Sequence, residues 1–147
     1  MKYSAAVIDT NVVVAGLLTG SVDSPTARIL DGMCRGAFPF LLSTALLAEY
    51  REVLLRKKIR ALHRLSGRDV DVLLTVLATN AIVREPAPRT GAPDANDSHV
   101  WSLVQSEANC ILVTGDHALI ESPPSRSSVL PPRQFADLLP AFTKFDK

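Results

Sequence analysis

Four carboxylates stand at positions where chemistry is a better explanation than solubility. Asp9 interrupts Ala6-Val7-Ile8-Asp9-Thr10-Asn11-Val12-Val13-Val14, a run otherwise apolar and largely β-branched. An ionised Asp in such a setting is costly unless it is paired, hydrogen-bonded or bound to a cation. Asp116 follows the apolar stretch Ile111-Leu112-Val113-Thr114-Gly115. Helical spacing places Glu49 on one stripe with Ala45, Leu46 and Val53, and Asp97 ahead of Val100, Trp101 and Val104. Brought together, four carboxylates would repel and raise one another's pKa, unless a divalent cation held them ionised. Hard oxygen ligands select Mg²⁺ or Mn²⁺ over Zn²⁺. Such a site suits phosphodiester hydrolysis, because a metal lowers the pKa of bound water from about 15.7 to about 7 and screens charge growing on the phosphate.

Taken singly, each acid also has a structural reading. Asp9 suits a helix cap or a turn. Asp94 and Asp97 have the spacing of a capping pair, with Asp94 as the cap, and Gly115-Asp116 suits a turn. Glu49 on an apolar stripe needs either a ligand or a buried Arg or Lys partner.

The elements that must position these residues follow from the pattern of the chain. Ser4 to Ile8, Phe38 to Leu42, Ala81 to Val83 and Cys110 to Val113 predict short strands buried on both faces, with Ser127 to Leu130 as a fifth, edge strand. Helical periodicity covers Thr26 to Cys34, Thr44 to Ile59, Arg68 to Thr79 and Ser98 to Glu107, with a last helix over Arg133 to Leu139. Strands alternating with helices predict an α/β fold, a parallel sheet covered on both sides. Asp9 and Asp116 then stand at the carboxyl ends of strands, where open parallel sheets bind ligands. Pro86, Pro88 and Pro93 punctuate one loop, and Pro123, Pro124, Pro131 and Pro132 another.

Length and composition bound the rest. A chain of 147 residues is the size of one domain, so residues 1–147 are expected to form a single core. Hydrophobic residues at 47% and charged residues at 21% exclude a disordered or fibrous chain. A net charge of +1 supplies no global field for nucleic acid or membrane, so any polyanion site must be local. Cys34 and Cys110 lack metal-ligand spacing and read as free thiols in a reducing, cytoplasmic compartment. Asp9 falls where the apolar core of a signal peptide would lie, and no run approaches the ~20 apolar residues of a membrane span.

Four motifs in order give the chain a family resemblance. Val7-Ile8-Asp9-Thr10-Asn11, Leu46-Leu47-Ala48-Glu49-Tyr50, Asp94-Ala95-Asn96-Asp97 and Val113-Thr114-Gly115-Asp116 resemble the successive motifs of the PIN domain, a nuclease fold found in many toxins of toxin-antitoxin pairs and in RNA-processing factors. The resemblance implies a three-layer α/β/α sandwich with a central parallel sheet of four or five strands. It also implies that Asp9, Glu49, Asp97 and Asp116 are the catalytic acids and hold one or two Mg²⁺ or Mn²⁺ ions, with Asn11, Asp94 and Thr114 in support. The subgroup it most resembles carries Asp-Pro-Asp-Asp in the third motif, whereas Asn96 here replaces one acid. The implied activity is endoribonuclease cleavage of single-stranded RNA, with a cognate antitoxin and a homodimer as the implied partners.

Substrate contacts are expected from a basic run. Arg51, Arg56, Lys57, Lys58 and Arg60 lead it, with Arg64 and Arg68 behind them. Such residues position phosphates without reading sequence, although a charge run ending a helix also suits a solvated face that complements the helix dipole. His63, His99 and His117 form no evident acid-base pair, and Trp101 on its apolar stripe reads as core. Two alternatives share the same residues: a metal-dependent phosphatase on a similar fold, and a non-catalytic module that binds RNA or protein. Asn11 stands where a phosphatase of that kind would need its second Asp, and the presence of all four acids favours catalysis over a binding module.

Overall fold

A computed structural model describes residues 3–86, 98–121 and 128–143. Strand β1 (Ala5–Ile8) lies between two neighbours. It pairs in parallel with β4 (Cys110–Val113) from Ala5 opposite Cys110 to Ile8 opposite Val113, and β4 pairs in parallel with β5 (Ser128–Leu130). On its other side, a bridge from Ala6 to Phe40 joins it to the parallel pair β2 (Leu41–Leu42) and β3 (Ile82–Val83). All residues of β1 and β4 are buried, as strands covered by helices on both faces must be, and the architecture is a three-layer α/β/α sandwich.

Two strand expectations need correction. The run from Phe38 to Leu42 ladders only at its end, because Pro39 has no N–H to donate and instead accepts from the Ala6 N–H at 3.1 Å. Strand β3 is not buried on both faces. Among the described residues it pairs with β2 alone, and its side chains stand in water, Val83 at 59% exposure.

The helices carry their own start and stop signals. Ser24 caps α2 (Pro25–Arg35), with Pro25 in the first turn and Gly36 closing it at φ 64°. Ser43 caps α3 (Thr44–Leu54), whose buried stripe is Leu46, Tyr50 and Leu54. Ala45, expected on that stripe with Glu49, is exposed, so Glu49 lies at the stripe's margin. The long helix expected over Thr44 to Ile59 is broken: Arg56 turns extended at ψ 138°, and α4 (Lys57–His63) starts anew. The Leu54 carbonyl freed by that break accepts from His63 Nε2 at 2.8 Å. A Ser66–Asp69 capping box opens α5 (Gly67–Asn80), while α6 (Ser98–Gln105) buries Val100, Trp101, Leu103 and Val104. The chain closes with the short α7 (His117–Glu121) and with α8 (Pro132–Thr143), longer than the expected Arg133 to Leu139.

Two helices have no counterpart among the expected elements, the short α7 and one that follows β1. Thr10–Leu18 forms α1 directly after β1. Its Val12-Val13-Val14 run has poor helix propensity, and the helix carries no charged residue to mark a solvent face. Burial overrides propensity here: Val12, Val13 and Val14 all enter the core, at 1, 0 and 9% exposure.

Candidate active site

Asp9 stands between the last residue of β1 and the first of α1, and that place gives it two tasks. Its Oδ1 accepts the Thr10 N–H at 2.9 Å, capping the helix, while its own N–H donates to the Val113 carbonyl at 2.9 Å. The second oxygen, Oδ2, accepts the Thr114 hydroxyl at 2.8 Å and faces Asn11 Nδ2 at 3.4 Å. Thr114 is fully buried just beyond β4. Its hydroxyl oxygen also accepts from the Asp116 N–H at 3.1 Å and from Asn11 Nδ2 at 3.3 Å. Asn11 Oδ1 in turn accepts the Gly115 N–H at 3.0 Å. The loops leaving two adjacent strands are therefore tied together through Asn11 and Thr114.

Glu49 reaches the same place from α3. Its Oε2 accepts the Thr10 hydroxyl, and its Oε1 lies 3.1 Å from His99 Nε2 of α6. Tyr50, the next residue, is fully buried and donates its phenol hydrogen to the Ile8 carbonyl, which fixes α3 against the end of β1. Asp116 Oδ1 accepts the Ala118 N–H at 2.9 Å, so this acid does occupy a turn at the start of α7.

Burial raises the Asp9 carboxyl above its ordinary 3.8; hydrogen bonds from Thr114 and Thr10 act against the rise, and the charges of Glu49 and Asp116 add to it. Among the described residues no Lys or Arg pairs with any of these three acids. Three carboxylates that act on one another, with Asp9 half-buried among them, offer oxygen donors that fit a hard divalent cation. Among the described residues no three His, Cys, Asp or Glu side chains form a ready-made metal cluster. Asp94 and Asp97 lie outside the described residues.

Of the residues expected to support the site, Asn11 and Thr114 are therefore beside Asp9. The basic run divides. Arg51 pairs with Asp71 at 2.8 Å and Arg56 with Glu52 at 3.2 Å, whereas Lys57 and Arg60 line a separate cavity with Arg64. Lys58 is exposed on α4. The sequence offers His99 only as an unpaired acid-base candidate and gives Thr10 no role, yet both are in contact with Glu49. Thr10 could have been found from its place directly after a capping Asp; no spacing pattern marks His99, which meets Glu49 only through tertiary packing. His99 Nδ1 is buried without a partner among the described residues. His63 is held structurally, its Nδ1 accepting from the Leu65 N–H and its Nε2 meeting Leu54.

A cavity of about 520 Å³ opens beside Asp9, Thr10, Asn11 and Asp116. Its remaining wall is apolar, formed by Val14, Ala15 and Leu18 of α1 with Val53 of α3 and Leu119 of α7.

A parallel sheet with carboxylates at the carboxyl ends of two adjacent strands defines an α/β protein with an acidic ligand edge. A family model for the PIN domain matches residues 5–118, from β1 through β4 into α7. The chain belongs to the PIN domain family, whose members are in general nucleases that act on nucleic acids and use divalent metal ions. No curated protein matches it. Among the described residues no helix is long and apolar enough to cross a membrane.

Proposed function

We propose that residues 1–147 form one catalytic unit, a metal-dependent endoribonuclease that hydrolyses phosphodiester bonds of single-stranded RNA. The observation that carries this reading is the approach of Asp9, Glu49 and Asp116 to one another with no Lys or Arg paired to them among the described residues, each oriented by hydrogen bonds from Thr10, Thr114, His99 or Ala118. Asp9, Glu49 and Asp116, joined by Asp97 of the third motif, would hold Mg²⁺ or Mn²⁺. Such an ion supplies a water of lowered pKa and screens charge on the phosphate. The chain's own part is orientation. Thr114 and Thr10 hold Asp9 by donating to its two oxygens, with Asn11 a second, longer contact on Oδ2, so Oδ1 keeps a lone pair for a ligand. The Thr10 hydroxyl and His99 do the same for Glu49. Arg51, Arg56, Lys57, Lys58 and Arg60 take substrate phosphates outside the cleft, with Lys57 and Arg60 unencumbered by the ion pairs that occupy Arg51 and Arg56.

By its motifs the protein acts in the cytoplasm as the toxin of a toxin-antitoxin pair, and its partners are a cognate antitoxin and a second copy of itself. The test is cleavage of labelled single-stranded RNA in Mn²⁺ or Mg²⁺, beside EDTA and an Asp9→Asn variant purified identically. Loss of cleavage in both controls is the expected result. Cleavage that survives both removes the acids from the mechanism.

A further inference from the structure

We propose that the apolar half of the cavity beside Asp9 is a slot for a single nucleobase, so that an unstacked nucleotide binds with its phosphate at the acidic end. This rests on the nuclease reading above and deepens it.

The argument begins with α1. A helix at a protein surface ordinarily turns charged residues to water, yet Thr10–Leu18 has none. Its exposed positions include Asn11 and, one turn on, Ala15, so apolar surface begins directly beside the acids. Leu18, Val53 and Leu119 extend that surface, and the cavity lies within the ~300–1,000 Å³ typical of ligand sites.

A ligand matched to both ends needs an anionic group, bound through a cation at the carboxylates, joined to an apolar body. Inorganic phosphate fills only the acidic end. A nucleotide of a single strand fills both. A base in a duplex reaches such a slot only by flipping out of its stack, at a cost of a few kcal/mol, so the slot favours single strands. The polar side chains of the cavity stand at its acidic end, and Asn11 there is engaged with Gly115, Thr114 and Asp9. The apolar side chains offer no donor or acceptor to a base edge. The slot therefore reads the presence of a base and not its identity, as sequence-tolerant single-strand sites do.

The test is fluorescence anisotropy of the full chain in Ca²⁺, a hard ion for the same oxygen ligands. The probes are short RNA homopolymers and a ribose-phosphate strand of equal length without bases, with gels verifying that each strand stays intact. Base-bearing strands are expected to bind about tenfold more tightly than the baseless strand, the low end for base contacts because no aromatic ring lines the slot among the described residues. Ala15→Leu, at an exposed position, is expected to fill the slot and reduce that ratio to about twofold, with the baseless strand bound as before. Equal affinities in the wild-type protein overturn the slot, as they must if the apolar end takes a partner protein's side chain instead. A preference that survives Ala15→Leu overturns it too. In either case binding of both strands leaves the nuclease reading standing, whereas binding of neither overturns both.

Discussion

Replacing Thr114 with Val keeps the shape of a fully buried side chain and removes the hydroxyl that links both strand ends. The hydrogen bond to the Asp9 carboxylate, a bond to a charged acceptor, contributes about 1.5–3 kcal/mol. The Asp116 N–H and the Asn11 amide lose an acceptor, but both residues are exposed and water replaces it at small cost. The expected loss is thus about 2–3 kcal/mol. Unfolding entropy of about 2.1 cal/mol/K per residue, over 147 residues, makes that a fall of roughly 6–10 °C in Tm. The effect depends on pH, with a definite sign. Thr114 holds the Asp9 carboxyl below where burial alone would put it, and so stabilises the ionised form. Its contribution is complete above the raised Asp9 pKa and shrinks as pH falls through it. The difference in melting temperature between wild type and Thr114→Val, in EDTA, is therefore expected to be larger near neutrality than in mild acid. All other titrating groups are common to both proteins and cancel. A difference that stays constant with pH, or lies under about 1 kcal/mol throughout, refutes the hydrogen-bonded role of Thr114.

Other outcomes follow from the same geometry. With Asp9 raised by burial, the metal-free fold is favoured by its protonation, and that stability is lost as pH climbs from the ordinary 3.8 through the raised value; Mn²⁺ at a hundred times its Kd is expected to add about 2.7 kcal/mol at neutral pH, and an unchanged melting temperature counts against the metal site. Tyr50→Phe strips the Ile8 carbonyl of a buried donor and is expected to cost about 1–2 kcal/mol in urea denaturation, so a neutral effect means that bond is dispensable. In Gly16→Ala the added methyl would stand 2.6 Å from the Thr26 carbonyl oxygen, so a loss of about 1–3 kcal/mol is expected to exceed the gain of about 1 kcal/mol in helix propensity; a stabilised variant contradicts that close approach of α1 and α2. Lys57→Ala and Arg60→Ala are each expected to lower the salt slope of RNA binding by about one, whereas slopes equal to wild type move the phosphate path elsewhere.

What the sequence made legible depends on how local the cause was. Cys110–Val113 stands where an apolar run bounded by turns puts it, and Gly36 and Ser43 mark helix ends by their own chemistry. The helix over Thr10–Leu18 is a different case. Three consecutive valines favour a strand locally, and only the covering layers decide otherwise. The break at Arg56 is equally non-local in cause, since the Leu54 carbonyl it frees is met by a His nine residues on. Near the site, Asp9 stands out because a carboxylate amid apolar residues demands an explanation, whereas the stripe that singled out Glu49 holds it only at its margin. His99 carries no such signal, and the ion pairs of Arg51 and Arg56 depend on which face of α3 meets Asp71 or turns to water.

The missed helix α1 changes what Asp9 is. The two readings of this residue, cap and ligand, are not alternatives, because one oxygen caps α1 while the other faces Thr114 and the cleft. A carboxylate at the first turn of a helix is stabilised by the unpaired N–H groups there, which offsets part of the cost of burying it beside two other acids. That economy couples fold and site, and so dictates how the site can be probed. Asp9→Ala would remove the cap as well as the charge, with a loss of about 0.5–2 kcal/mol from the cap alone, and inactivity would not separate the two. Asp9→Asn keeps an oxygen that can accept the Thr10 N–H while deleting the charge, although its amide nitrogen no longer accepts the Thr114 hydroxyl. A variant that melts close to wild type in EDTA but no longer responds to Mn²⁺ assigns the missing function to the carboxylate itself.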